Sequence, residues 1–198
     1  MIRYVRALAM VGVVFLASFA LACEDHGSYS SSPTTNSGQN ANKMAGTPQL
    51  TSGDREFAMK AATGGRHEVE LGRLAADRAS NSDVKAFGDR MVKDHSQAGD
   101  ELMQITSKLG ITIPTEDDAT FKQMHDRLSN LKGADFDKAY MSEMLEDHQK
   151  DLSEIQTYAN SGNSPELKQW ATKTATMVRD HLQMAETTAA KVGVKKSL

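Results

Sequence analysis

Two short breaks and one long one interrupt the helical pattern of residues 54–192. Apolar residues recur there at the three- and four-residue spacing of amphipathic helices, and no alternating Val/Ile-rich run marks a strand. A first helix is expected from about Asp54 to Ala79, after a Thr51-x-x-Asp54 start that resembles a capping box. A second is expected from about Ser82 to Leu109, stopped by Gly110, and a third from about Ala134 to Asn160, stopped by Ser161-Gly162. A fourth begins with Ser164 as N-cap and Pro165 at its first position and ends near Val192-Gly193. The links of about two and about four residues force their flanking helices to be antiparallel neighbours. The link between the second and third helices is far longer, "GITIPTEDDATFKQMHDRLSNLKG". It contains Pro114, a Thr115-x-x-Asp118 cap and a short amphipathic helix through Phe121, Met124 and Leu128.

A connection of that length can cross the whole bundle, so the second and third helices should run parallel. The expected fold is therefore all-α: a four-helix bundle over residues 51–198 with one long crossover between helices two and three, which is the ferritin-like topology.

The N-terminus sets the expected compartment. "MIRYVRALAMVGVVFLASFALAC" has Arg3 and Arg6, then an apolar and small-residue run, then the chain's one cysteine, Cys23. This is the pattern of a bacterial secretory signal peptide over residues 1–22, and its apolar run is shorter than the roughly 20 residues of a membrane span. Cys23 resembles the acceptor of a lipobox, which would make it a lipidated N-terminus. Ala20-Leu21-Ala22 also fits ordinary signal cleavage, which would leave a plain secreted chain with a free thiol. A single cysteine excludes an internal disulfide. Residues 23–50 are rich in Ser, Thr, Asn and Gly. They are expected to form a disordered tether spanning about 30 Å, with His26 solvated within it. Without residues 1–22 the chain has 21 basic and 26 acidic residues, a formal charge of −5. That argues against a nucleic-acid partner, which needs a clustered basic face. The expected attachment is to a membrane through the N-terminal lipid, on the periplasmic side of the envelope.

One five-residue pattern occurs three times: "MVKDH" at Met91–His95, "MLEDH" at Met144–His148 and "MVRDH" at Met177–His181. With about 100° per residue, His95, His148 and His181 each fall within the apolar stripe of their helix. Glu68 lies in the stripe of the first helix, while His67 lies at its edge beside Leu74. Each of the four stands close to its helix midpoint, so all share one level to within roughly a turn. Inward side chains from facing helices are how bundles build metal sites. Glu68, His95, His148 and His181 are thus candidate ligands, with Asp151 as a possible fifth. A buried Glu–His hydrogen-bond network without metal is the competing reading. Asp94, Asp147 and Asp180 point away from their own histidines. They could accept the second ring N–H of a histidine on a neighbouring helix or form surface salt bridges. Met91 and Met144, one turn before their histidines, could pair with them to hold copper(I), though methionine at core spacing more often packs. The residues three before each histidine are Val92, Leu145 and Val178. Bridging carboxylates of a di-iron site are therefore missing, and a single Fe, Mn or Zn suits the set better than a pair of irons.

The stretches "GGRHEVELGRLA", "VKAFGDRMVKDH", "FDKAYMSEMLEDHQKDL", "PELKQWA" and "HLQMA" resemble a bacterial family of exported and outer-membrane proteins with a ferritin-like domain of unknown function. The resemblance runs from Gly53 to Gly193 and implies fold and envelope location, with no established activity. Three functions remain open: a metal-binding module for buffering or stress protection, a metal-dependent redox or hydrolytic enzyme, and a metal-free structural or interaction lipoprotein. No nucleophile motif, phosphate loop or cofactor fingerprint is present.

Overall fold

The computed structural model describes residues 49–194. The signal peptide, Cys23 and nearly all of the tether lie outside them. Five helices follow one another: α1 (Ser52–Arg78), α2 (Ser82–Lys108), α3 (Ala119–Ser129), α4 (Gly133–Ser161) and α5 (Pro165–Lys191). The described residues contain no strand. The all-helical expectation holds, with helix ends within two residues of those read from the periodicity.

The caps explain the boundaries. Thr51 and Asp54 form a reciprocal capping box at the start of α1, which satisfies two of the amides that a helix start leaves unpaired. Asn81 caps α2, accepting from the amides of Asp83 and Val84. Ser164 caps α5, with Pro165 next to it. Gly110 ends the α2 region with φ of 64°, a conformation that costs glycine little. The crossover cap differs from expectation. Asp118 itself is the N-cap of α3 and accepts from the Phe121 amide, so Thr115 is not the capping residue.

Helix directions follow from which residues meet. On α1 and α4, Lys60 pairs with Glu154, Glu68 approaches His148 and the Ser80 end meets Asp137. Residue numbers rise on one helix as they fall on the other, so the two are antiparallel. Gly72 faces Gly88, and Gly65 faces His95, across α1 and α2, which are antiparallel too. Hence α2 and α4 run parallel, and the long connection joins them as its length required. On α2 and α5, Asp83 meets Lys191, Asp94 meets His181 and Glu101 meets Lys173, again antiparallel.

Two apolar clusters fill the bundle. One, at the end holding Leu71, Phe87, Met91, Tyr140, Met144 and Ala185, includes the buried faces of α3. The other holds Ala58, Leu102, Ile155, Leu167, Trp170 and Val178. Along every long helix, the candidate ligand falls between the residues of these clusters. A polar belt therefore divides the core at mid-height. Gly72 and Gly88 let α1 and α2 approach closely, since a Cβ at Gly72 would sit 2.6 Å from the Gly88 carbonyl oxygen. Asp137 of α4 is buried and accepts from the Ser80 amide, the Ser80 hydroxyl and the Asn81 amide, fixing the α1–α2 turn to α4. The crossover is held on α1 by Arg66, which reaches Asp117 and the Pro114 carbonyl, and by Phe121, stacked on His67 at 3.5 Å between ring centres.

Candidate metal centre

Three helices bring one histidine each to the belt. His95, His148 and His181 are 7%, 1% and 0% exposed. One ring nitrogen from each lies within 4.8 Å of the other two, and the ring centres are 5.2–5.9 Å apart. The second nitrogens of two rings are committed. His148 Nδ1 is 2.9 Å from the Met144 carbonyl. A carbonyl only accepts, so Nδ1 carries the proton and Nε2 keeps its lone pair. His181 Nε2 is 3.0 Å from Asp94 Oδ2, which leaves the lone pair on Nδ1. On each ring one nitrogen is buried with no partner: His95 Nε2, His148 Nε2 and His181 Nδ1. Such orphans are rare in folded proteins because they forfeit solvation without a replacement bond.

Burial keeps these rings neutral. It pulls His95 down to about 3, helped by the nearby His181 and His148, and His148 down to about 4. His181 is also lowered by burial, against the opposing pull of Asp94. Neutral imidazole is the form that ligates metal. Zinc–nitrogen bonds are about 2.0–2.1 Å, and tetrahedral ligands then stand roughly 3.3 Å apart. The rings therefore need to close by no more than about 1.5 Å between any two nitrogens. The three buried histidines could hold a metal ion.

The expected ligand set is only partly assembled. Glu68 is 3% exposed and at the right level, yet it is outside the three-histidine group. Its Oε1 lies 3.8 Å from His148 Nδ1, the nitrogen already bound to Met144, and its Oε2 has no partner. A glutamate on the stripe reaches the back of His148 and not its open nitrogen. Asp151 is half-buried and is likewise outside the group. Of the three aspartates before the histidines, Asp94 binds a histidine of the neighbouring helix and is also held by Arg90. Burial would raise its carboxyl, but these two hydrogen bonds hold it below the usual range. Asp147 lines a cleft instead, pushed up to about 6 by burial and by Glu143. Asp180 is exposed. Met91 and Met144 are fully buried members of the apolar cluster. His67 stays at the α1 edge, bound to Asp117.

Residues that the periodicity did not single out complete the surroundings. A cleft of about 840 Å³ lies between α1 and α4 and is lined by Gly64, Gly65, Glu68, His95, Asp147 and Asp151, among others. The consecutive glycines at mid-helix were the available signal. Tyr140, fully buried with an unpartnered hydroxyl, lies near enough to feel the Glu68 charge.

Glu68 carries a testable cost. Burial raises its carboxyl well above the ordinary value, and Asp147 and Asp151 add to that rise. A group with a raised folded pKa binds more protons folded than unfolded, so its penalty grows as pH climbs above the unfolded value. Glu68→Gln should therefore stabilise the metal-free protein at pH 7.5 by about 1–3 kcal/mol, at about 1.4 kcal/mol for each pH unit over which only the folded carboxyl keeps its proton. Little change is expected at pH 4. Chemical denaturation at the two pH values checks this; equal effects at both would contradict it.

A family model described as "Domain of unknown function (DUF4142)" matches residues 39–188. None of the curated proteins matches the chain in sequence. Among solved structures, a candidate secreted protein of the DUF305 type from Streptomyces coelicolor is similar, with a TM-score of 0.62 and 13% identity. The likeness covers 72% of this chain and 93% of that one. A DUF305 fragment from Deinococcus radiodurans has a TM-score of 0.64 and 12% identity over 73% of this chain and 99% of its own. At such identities the likeness concerns the fold alone.

Proposed function

Because this chain belongs to the DUF4142 family, whose description assigns no activity, we propose from its own geometry that it is a bacterial envelope module binding one divalent transition metal through His95, His148 and His181. The observation that carries this reading is the trio of buried, unpartnered ring nitrogens on neutral rings whose opposite nitrogens are already fixed. A metal-free Glu–His network would pair those nitrogens. Instead, the nearest Glu68–His148 approach is 3.8 Å, beyond hydrogen-bond length. Orientation of a ligating histidine by a carbonyl or carboxylate on its far nitrogen is the usual outer arrangement of metal sites.

Among Fe, Mn and Zn, an all-imidazole set disfavours manganese, which prefers oxygen donors, and three histidines with one open position are an arrangement typical of zinc. Copper(I) would lack a soft ligand in the set, since Met91 and Met144 belong to the apolar cluster. Three protein ligands leave a position for water or another exchangeable ligand. Bound zinc would polarise a water there and lower its pKa to about 7. Exchange at that position suits uptake and release, hence buffering of metal or protection under stress. The one-crossover order reads as ferritin-like. The signal-type N-terminus and Cys23 support attachment by lipid on the periplasmic side, at the outer membrane. The secreted character named for the Streptomyces relative agrees with export, and among the described residues no helix is long and apolar enough to cross a membrane. Chelator-stripped protein given excess zinc and then freed of unbound ion should retain about one zinc per chain by elemental analysis. Retention below a tenth of that would contradict the proposal.

A further inference from the structure

The histidines leave unexplained the side of the bundle between α1 and α4. Here α1 carries Gly64 and Gly65 in mid-helix, where glycine is less stable than alanine. Close packing accounts for Gly72 and Gly88 but not for these two. A Cβ at Gly64 would meet nothing within 4 Å, and one at Gly65 would only reach ordinary contact, 3.8 Å from His95 Nδ1. Their absent side chains keep open the cleft beside them.

Acidic side chains line the cleft at more than one depth. Asp147 and Asp151 of α4 are half-buried on its wall. Deeper, Glu68 is nine-tenths buried and more, with Oε2 unpartnered. These carboxylates do not converge closely enough to chelate an ion, since only the histidines do so among the described residues. His95 is the one histidine of the three that lines the cleft. No hydrogen bond among the described residues holds its ring, whereas His148 and His181 are each fixed by one.

We propose that this cleft is the route by which a divalent cation reaches the histidines, drawn in by Asp151 and Asp147, passing Glu68, and received at His95. The proposal rests on the metal-binding reading above and names its access path. Acidic residues outnumber lysines along the cleft, and an excess of one sign of charge in a cleft concentrates counter-ions and raises association rates by about 10–1000-fold. Spread carboxylates attract a cation without trapping it. The unfixed His95 ring can turn towards an arriving ion, while the two fixed rings wait behind it. Lys60 and Lys150 oppose the field at Asp151, and Lys60 is tied to Glu154 across the two helices.

Stopped-flow mixing of chelator-stripped full-length protein with cobalt(II) at pH 7.5, read by the ligand-field absorbance of the bound ion, tests the route. The Asp147→Asn/Asp151→Asn double variant should bind the same one cobalt per chain at least about tenfold more slowly. Its rate should also lose most of the wild-type dependence on salt. Gly64→Leu should slow uptake by filling the cleft, with a melting temperature no lower than wild type and an unchanged salt dependence. Lys60→Gln should speed it. Wild-type rates in both the double variant and Gly64→Leu would overturn the route and leave the metal site standing. Loss of equilibrium binding in the double variant would also overturn it, because the carboxylates would then be ligands. No cobalt bound by the wild type would defeat the metal-binding reading itself, and the route with it.

Discussion

Zinc added to the chelator-stripped protein at pH 7.5 should raise its melting temperature, and His148→Ala should lose that rise altogether. The triad exists only in the folded chain, so binding stabilises by mass action. At a free zinc concentration a hundred times the dissociation constant the gain is about 2.7 kcal/mol. For a domain of this size that is roughly 5–10 °C. His148 is buried to 1% exposure, so its removal also costs packing in the metal-free protein; the zinc-dependent difference separates the two effects. His125→Ala is the control. That residue sits on the crossover, 3.4 Å from Glu70, and its loss should leave the zinc response unchanged. Thermal denaturation with and without zinc reads all of this, and a rise that persists in His148→Ala would contradict the triad.

The pH response has a definite sign. His95 and His148 are held at about 3 and about 4 when folded, below the 6.5 of a free imidazole. The unfolded chain therefore binds more protons as pH falls below 6.5, and each such histidine subtracts about 1.4 kcal/mol per pH unit until its folded pKa is reached. Acid should thus weaken the fold before protons compete directly for the folded triad.

The second large effect lies far from the metal. Asp54→Ala should destabilise the protein by about 3–5 kcal/mol. Asp54 is fully buried and accepts from the Thr51 amide and hydroxyl, the Tyr158 hydroxyl, and the amides of Asn163 and Ser164. It ties the start of α1 to the α4–α5 turn. Alanine would leave several of these donors buried and unpaired, at about 1–3 kcal/mol for each group that water cannot reach. Burial opposes its ionised form, but the hydrogen bonds from Tyr158 and Thr51 outweigh it and hold the carboxyl well below the usual range. This contribution is therefore present above pH 3.8 and fades as pH falls below that. Urea denaturation of the variant measures the loss; a change below 1 kcal/mol would contradict the role.

These two sites show what periodicity carries and what it does not. The helices and the parallel relation of α2 and α4 were legible, because apolar spacing and link length are local properties of the chain. The histidines' convergence was also legible, since each stands inward near the middle of its helix. The reach of Glu68 was not. An angle of 100° per residue tells which way a side chain leaves the helix, but not whether the neighbour packs close enough to meet it. At this level an open cleft runs beside α1, and Glu68 ends behind His148. The three aspartates of the repeat looked equivalent and are not. Asp94 meets His181, Asp147 meets the cleft and Asp180 meets solvent, because each depends on the helix beside it. Asp54 was legible as a cap through Thr51-x-x-Asp54. Its bond to Tyr158, 104 residues away, leaves no mark on local spacing, and neither does the grip of Asp137 on the α1–α2 turn.

X-ray absorption at the zinc edge of the loaded, gel-filtered protein tests the metal centre most directly. The expected first shell is about three imidazole nitrogens at roughly 2.0–2.1 Å with one further light ligand. A first shell of oxygens alone, without the outer-shell scattering of imidazole rings, would contradict it.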